Sequence, residues 1–410
     1  MPWSQPWTVL RLILLLMSSE FVRTGLLVSY LPLVAPGLHL SAGAVGLIFG
    51  VHYLADALAK GPVGVLTERY GLGRVLLLGS GLGLGLLLLL HRSPGLPLLA
   101  LVSTVWGLCY AALWPGVMAA SQHFARPGMT SRALSVTSVS VVPAIVLGLL
   151  GVGQLMQRQP GAAFPLLLGG QLVALTVAAS LLTLRLPRAN LSAQAVPGGA
   201  PQDRPGHVPF RERWGRVGVL LPAALAQSAA PGLLATVFYP LLERLNLHLS
   251  QLFVPVLLGV LVGAASLWAF GRLADRFHPR AALMPGLLLL ALTFLLAGFP
   301  GLEGRVTLVT LMLGLAYGAF IAGWNGLVGR TLPPEYRAAA WGTVMAVESL
   351  GNAVGPVLGG VMWAAYGQAG VFWSGAGILL LVEGYYLWPG RAVMRRARPP
   401  ADVRQDEGPA

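Results

Sequence analysis

The sequence predicts an all-α polytopic membrane protein with twelve transmembrane helices arranged as two pseudo-symmetric six-helix bundles. Three observations carry this. Of 410 residues, 56% are hydrophobic and 10% are charged, against roughly a quarter charged in an ordinary soluble domain. Mean hydropathy is +0.73, and the apolar residues gather into runs of about 20, the length that crosses a hydrocarbon core. A basic loop motif also occurs twice, at equivalent places in the two halves.

The first apolar segment covers 8–34. It lacks a basic leader, and Leu12–Met17 is followed by Ser18, Ser19, Glu20 and Arg23 rather than by a small-residue cleavage site, so it reads as a retained helix. Five more segments, bounded by Pro, Gly or charge, fall at 42–66, 74–91, 95–122, 132–156 and 162–186. Residues 187–216 read as a flexible linker running into the basic stretch FRERWGR. Six further segments follow at 217–242, 250–272, 281–299, 305–330, 338–364 and 369–389. The expected organisation is an N-terminal bundle (1–186), a cytoplasmic linker (187–216), a C-terminal bundle (217–390) and a cytoplasmic tail (391–410).

The net charge of +13 comes from 26 arginines and one lysine, Lys60, set against 14 acids. With the N-terminus inside, 21 arginines fall on the cytoplasmic side and 4 outside, while Arg23 and Lys60 lie within spans. The positive-inside rule then places both termini in the cytoplasm and accounts for the basic balance without nucleic acid. Cys109, the sole cysteine, excludes disulfides and cysteine-based zinc sites. There is no G-x-x-x-x-G-K-[ST] for ATP, no H-E-x-x-H for zinc, and no soluble catalytic domain. The expectation is a protein that is not an enzyme, with no metal and no cofactor.

The loop GVLTERYGLGR at Gly64–Arg74 recurs as GRLADRFHPR at Gly271–Arg280, at an offset of 207; Arg132-Ala133 and Arg337-Ala338 form a weaker pair at 205. Duplicated six-helix units place a substrate site between the halves near the midplane. The doubled loop and the layout resemble the major facilitator superfamily over nearly the whole chain. Gly64, Glu68, Arg69, Gly71 and Arg74 match its signature, with Glu for the usual Asp. Gly271, Asp275, Arg276 and Arg280 match in the second copy, with His278 where Gly is usual.

The resemblance implies a conformational latch on the cytoplasmic side. Glu68 would face the start of the eleventh helix near Ala339, and Asp275 the start of the fifth near Ala133. Each carboxylate would sit on a positive helix end, an interaction worth about 0.3–1 kcal/mol. Gly64 and Gly271 would permit close helix approach. The eleventh helix also carries GNAVGPVLGG at Gly351–Gly360, and the fifth has Pro143, Gly148 and Gly151. These are small-residue and proline patterns suited to tight, kinked packing. The former is similar to a Gly-Pro-x-x-Gly-Gly stretch that exporters of the superfamily carry on their fifth helix.

Isolated charges near a bilayer centre cost about 2.5–3.5 kcal/mol on insertion scales, so those present are functional candidates. Glu20 and Arg23 share a face of the first helix, and His52, Asp56 and Lys60 form a four-residue stripe on the second. Turned inward, two carboxylates and two cations balance. Opening or closing a cavity around such a carboxylate changes how readily it holds a proton. Glu20 or Asp56 is the expected coupling acid with Arg23 as partner, and His52 is either a relay or a satisfied polar contact. Possible cavity-lining residues are Trp106, Tyr110 and Trp114 on the fourth helix, Tyr317, Trp324 and Asn325 on the tenth, and Glu348 and Asn352 on the eleventh. Helix packing is the competing role for the aromatic stripes.

Glu-x-x-Arg on the first helix with an Asp midway along the second also resembles the superfamily's bacterial flippases for the glycolipid anchor of lipoteichoic acid. Glu20, Arg23 and Asp56 carry that match, and it implies a polar pocket in the N-terminal half and an apolar one in the C-terminal half. The fourth helix has no arginine, unlike many drug exporters of the superfamily. The reading is therefore a proton-coupled secondary transporter in the bacterial cytoplasmic membrane that works by alternating access. It exports a small amphipathic or drug-like solute; the alternatives are a glycolipid flippase or, more remotely, a non-transporting sensor. Its partners would be the bilayer, protons and a small-molecule or lipid substrate, with the proton gradient as energy source and a monomer as the assembly.

Overall fold

Helices follow directly from the apolar runs, because a chain segment in hydrocarbon must satisfy its backbone internally. The computed structural model describes residues 2–91, 95–126, 130–184, 217–331 and 337–388, without the side chains of Glu68, Arg132 or Asp275 among others. The linker 187–216 and the tail 391–410 lie outside the described residues. The helices are α1 (Pro6–Leu38), α2 (Ala42–Tyr70), α3 (Leu72–His91), α4 (Leu96–His123), α5 (Val136–Arg158) and α6 (Pro160–Ser180) in the first half. In the second half, α7 consists of Leu221–Ala235 and Phe238–Arg244, bent by 51°. It is followed by α8 (Leu249–Arg276), α9 (Arg280–Gly298), α10 (Val306–Thr331) and α11 (Arg337–Leu387).

Ten helices among the described residues are long and apolar enough to cross a membrane, or eleven with the bent pair as one span. The longest apolar stretch, Gly342–Leu387, has 46 residues, about 69 Å of helix at 1.5 Å per residue. That is over twice a bilayer core of about 30 Å, and the chain breaks it at Gly367, whose φ of 61° is left-handed. The bend in α7 precedes Pro240, which has no N–H for the carbonyl of Thr236 and whose ring crowds it.

The duplication legible in the loops is also written in the backbone. His39, after α1, and Asn246, after α7, are the two non-glycine residues with positive φ among those described, at 54° and 51°. Ser41 and His248 are the N-caps of α2 and α8. Each pair is 207 residues apart, the spacing of the loop motif.

Each half has its own apolar core, one drawn from α1–α6 and the other from α7, α9, α10 and α11. Apolar burial does not drive helix association in lipid, so close approach through small residues matters more. Gly351 and Gly355 of α11 face α7: a Cβ added there would lie 2.5 Å from the Leu225 carbonyl oxygen and 2.6 Å from that of Ala229. Gly148 of α5 faces α1, where an added Cβ would come 2.8 Å from the Phe21 carbonyl oxygen. At this seam both helices loosen into π turns, Gly25–Tyr30 and Leu147–Gly151, and the Ser29 hydroxyl lies 3.0 and 2.9 Å from the carbonyls of Gly148 and Leu149.

The N-terminal residues pair with the end of α4, Ser4 N to Phe124 O at 2.7 Å and Arg126 N to Pro2 O at 2.8 Å. This marks a terminal face, with a distal face opposite. The halves meet chiefly towards the distal face. There Leu150, Tyr239, Leu242, Leu249 and Leu252 form a core shared by α5, α7 and α8. An added Cβ on Gly46 of α2 would lie 2.8 Å from Pro356 O of α11, and one on Gly360 would lie 3.0 Å from Ala42 O. Burial differs widely between the spans: 67% of the apolar stretch of α1 is buried inside the protein, against 22% of α8 and 56% of α9, which share a hydropathy of 2.2. α1 and α2, which carry the paired charges, are among the most buried spans, and α8 is the least buried.

Candidate functional site

Glu20 and Arg23 are three residues apart on α1, hence on one face, and both are buried. They form a two-pronged ion pair: Arg23 Nε lies 3.1 Å from Oε2, and Nη2 donates to Oε1. The indole N–H of Trp114 on α4 adds a bond to Oε1 at 2.6 Å. The guanidinium lies between two aromatic rings, 5.0 Å from the centroid of Tyr53 on α2 and 5.2 Å from that of Tyr110 on α4, a cation–π arrangement that replaces part of its lost hydration. The Tyr110 hydroxyl donates to Ser19 O at 3.0 Å, tying α4 to α1.

One turn apart on α2, Asp56 and Lys60 make a second buried pair, at 2.5 Å. Ser349 of α11 completes a triangle: Lys60 Nζ donates to its Oγ at 2.7 Å, and the hydroxyl donates to Asp56 Oδ2 at 2.7 Å. A serine of the second half thus closes an ion pair of the first. The preceding residue, Glu348, is about 100° around the helix and accepts a bond from Gln227 Nε2 of α7. Consecutive residues of α11 present a hydroxyl to one half and a carboxylate to the other.

His52 is placed differently from the rest of its stripe. It is fully buried, with Nδ1 3.1 Å from the Ser103 carbonyl of α4 and its ring against Tyr53, Trp106 and Tyr110 at 5.1, 5.1 and 5.8 Å. This is an aromatic box in the core of the first half. Trp106 belongs to that core, 1% exposed, rather than to a cavity wall. Trp324 is likewise buried, stacked on Phe320 at 6.4 Å, because its helix turns that face into the second half. Tyr317 is half-exposed over the other side of Phe320, Asn325 is exposed, and Glu348 and Asn352 are half-buried.

The sequence model of the Major Facilitator Superfamily matches residues 12–283 and 257–409. The chain belongs to that superfamily. It is accordingly a multi-pass membrane transporter, with a nearly all-helical fold. Among curated relatives, the proton-coupled antiporter flippase LtaA of Staphylococcus aureus is 21% identical over 360 residues, covering 86% of each chain. Among solved structures, a bacterial homolog of the human lysosomal transporter Spinster, inward-facing and unoccupied, superposes with a TM-score of 0.73 at 17% identity, covering 97% of this chain and 99% of the other. The peptide transporter POT gives 0.69 at 16% identity, over 94% and 95%. These likenesses of structure concern the fold.

The superfamily's signature loops lie on the terminal face. Gly71 ends α2 at φ 93°, a conformation that favours glycine. In the second copy His278 occupies that place and the turn runs through Pro279 instead, with the Arg280 amide 3.2 Å from His278 Nδ1. Arg69 lies over Tyr70 at 5.3 Å and Arg276 over Phe277 at 5.7 Å, while Arg74 is exposed. Among the described residues, an added Cβ at Gly64 or Gly271 meets nothing within 4 Å. The carboxylates of Glu68 and Asp275 and the side chain of Ala339 are outside the described residues.

Tyr53, Gln227 and Ser349 enter the site without having been singled out from the sequence. Tyr53 is three residues before Asp56 and so shares its face. Ser349 and Gln227 are neutral polar residues in apolar helices, and only the packing of α11 between α2 and α7 reveals their partners.

Proposed function

We propose that this transporter is a proton-coupled antiporter working by alternating access, with Glu20 and Asp56 as the exchangeable acids and an amphipathic, lipid-linked solute as its substrate. The observation that carries the reading is the Asp56–Lys60–Ser349 triangle. The proton-sensitive carboxylate of one half is bonded directly to the other half, so a change in its protonation alters the contact between them. Arg23, held by Glu20 and flanked by two rings, offers a cation and aromatic faces to a polar head group, while the interior of the second half is mostly apolar. The relation to a proton-coupled flippase supports the lipid-linked class. The two arms of α11 count as separate spans in this reading. That gives twelve helices in bundles 1–186 and 217–390, with both termini in the cytoplasm of a bacterial inner membrane. The protein works as a monomer, with the proton gradient as its energy source and no cofactor.

Reconstituted vesicles with an imposed pH gradient test this. Labelled glycolipid is expected to cross between leaflets faster with the gradient than without. Glu20→Gln and Asp56→Asn are each expected to remove the gradient dependence and reduce turnover at least roughly tenfold, the equivalent of about 1.4 kcal/mol. Transport indifferent to both substitutions would remove proton coupling from these acids. Export of a drug-like solute is the second reading, favoured by the half-buried Trp114 and half-exposed Tyr317; it predicts dye efflux in the same vesicles and no glycolipid movement.

A further inference from the structure

Away from the interior site, α3 and α6 form an open groove of about 510 Å³ on the outer surface of the first half. Leu77, Leu78, Leu82, Leu175 and Leu182 line it, Gly81 leaves its floor low, and Arg74 stands at its terminal-face end. Arg74 is exposed and makes no hydrogen bond or ion pair among the described residues. From Arg74 to Leu82 the groove runs about 12 Å along the helix, close to half the hydrocarbon thickness of about 30 Å, and so the depth of one leaflet. Its rim has the character of a membrane–water interface. Arg11 donates to Ser180 O at 3.2 Å at the end of α6, and Trp7 is 75% exposed beside it. Neither α3 nor α6 contains an acidic residue.

A leucine-lined groove facing hydrocarbon accepts an acyl chain, and an unpaired arginine at headgroup level accepts a phosphate, for which its guanidinium has fitting donors. We propose that this groove binds one anionic phospholipid of the terminal-face leaflet, with a chain along α3 and α6 and the phosphate on Arg74. Arg11 is engaged with the α6 carbonyl, so it adds to the local field while Arg74 makes the contact. The site is separate from the Glu20–Arg23 and Asp56–Lys60 pairs, and through Arg74 it lies on the first signature loop.

Native mass spectrometry of the full chain with equal amounts of dioleoyl phosphatidylglycerol and dioleoyl phosphatidylcholine tests the assignment. The wild-type protein is expected to retain one phosphatidylglycerol with a preference of roughly tenfold, the scale of one charge-assisted hydrogen bond. Arg74→Gln is expected to abolish that preference and Arg74→Lys to restore part of it. Gly81→Leu fills the groove and leaves Arg74 in place; retention of both lipids is expected to fall. Equal retention of the two lipids by the wild type, a preference that survives Arg74→Gln, or undiminished lipid on Gly81→Leu would each overturn the proposal.

Discussion

The buried charges of α1 and α2 are partnered within a helical turn, and that arrangement sets what single substitutions do. Removing one member of a buried ion pair leaves the other uncompensated, at about 3–5 kcal/mol, whereas removing both is often nearly neutral. Lys60→Met is therefore expected to lower the melting temperature in detergent by more than the double substitution Lys60→Met with Asp56→Asn. A double variant no more stable than the single one would show that Asp56 and Lys60 do not depend on each other. These two residues, with Glu20 and Arg23, were legible in the sequence because charge is scarce in the spans. Ser349, Gln227 and Tyr53 were not, because neutral polar and aromatic residues are common in membrane helices and acquire meaning only from a neighbouring helix. For the same reason, spacing alone assigned His52 to the stripe of Asp56, while the Ser103 carbonyl and the rings of Trp106 and Tyr110 draw it into the core.

At the level of helices, glycines divide by what they face. Gly355 lies against backbone atoms of α7, which have no room to give, and overpacking typically costs about 1–3 kcal/mol. Gly355→Val is expected to destabilise the protein by that order. Gly64 has no neighbour within 4 Å of an added Cβ among the described residues, so Gly64→Leu is expected to leave the melting temperature unchanged but slow transport, since the end of α2 must close against the other half for the opposite conformation to form. Transport at the normal rate in Gly64→Leu would mean that this end never packs. Helix positions and the duplication were readable from apolar runs and loops. The π turns in α1 and α5 were not, since they arise where the ladder adjusts around Pro32 and Pro143 and the contact of Gly25 with Gly148.

Across the whole molecule the halves are joined towards the distal face. An added Cβ on Gly46 lies 3.3 Å from Val357 Cα and 2.8 Å from Pro356 O, so a disulfide between these positions forms with a small backbone shift. In a Cys109→Ala background, Gly46→Cys with Val357→Cys is expected to cross-link under oxidant, arrest transport, and recover on reduction. Continued transport by the cross-linked protein would show that the distal contact between α2 and α11 need not open. What must part there is inexpensive in electrical terms. Glu20 and Arg23 travel together on α1, and Asp56 and Lys60 together on α2; among the described residues, the side-chain hydrogen bonds across the seam between α2 and α11 are those of the Ser349 hydroxyl. Swinging one half away therefore breaks neither ion pair; the electrostatic work it does is to part Lys60 from Glu348 of α11, which attract one another across the seam without being bonded. It also breaks hydrogen bonds to a neutral side chain, and the first half carries its two ion pairs intact through the motion.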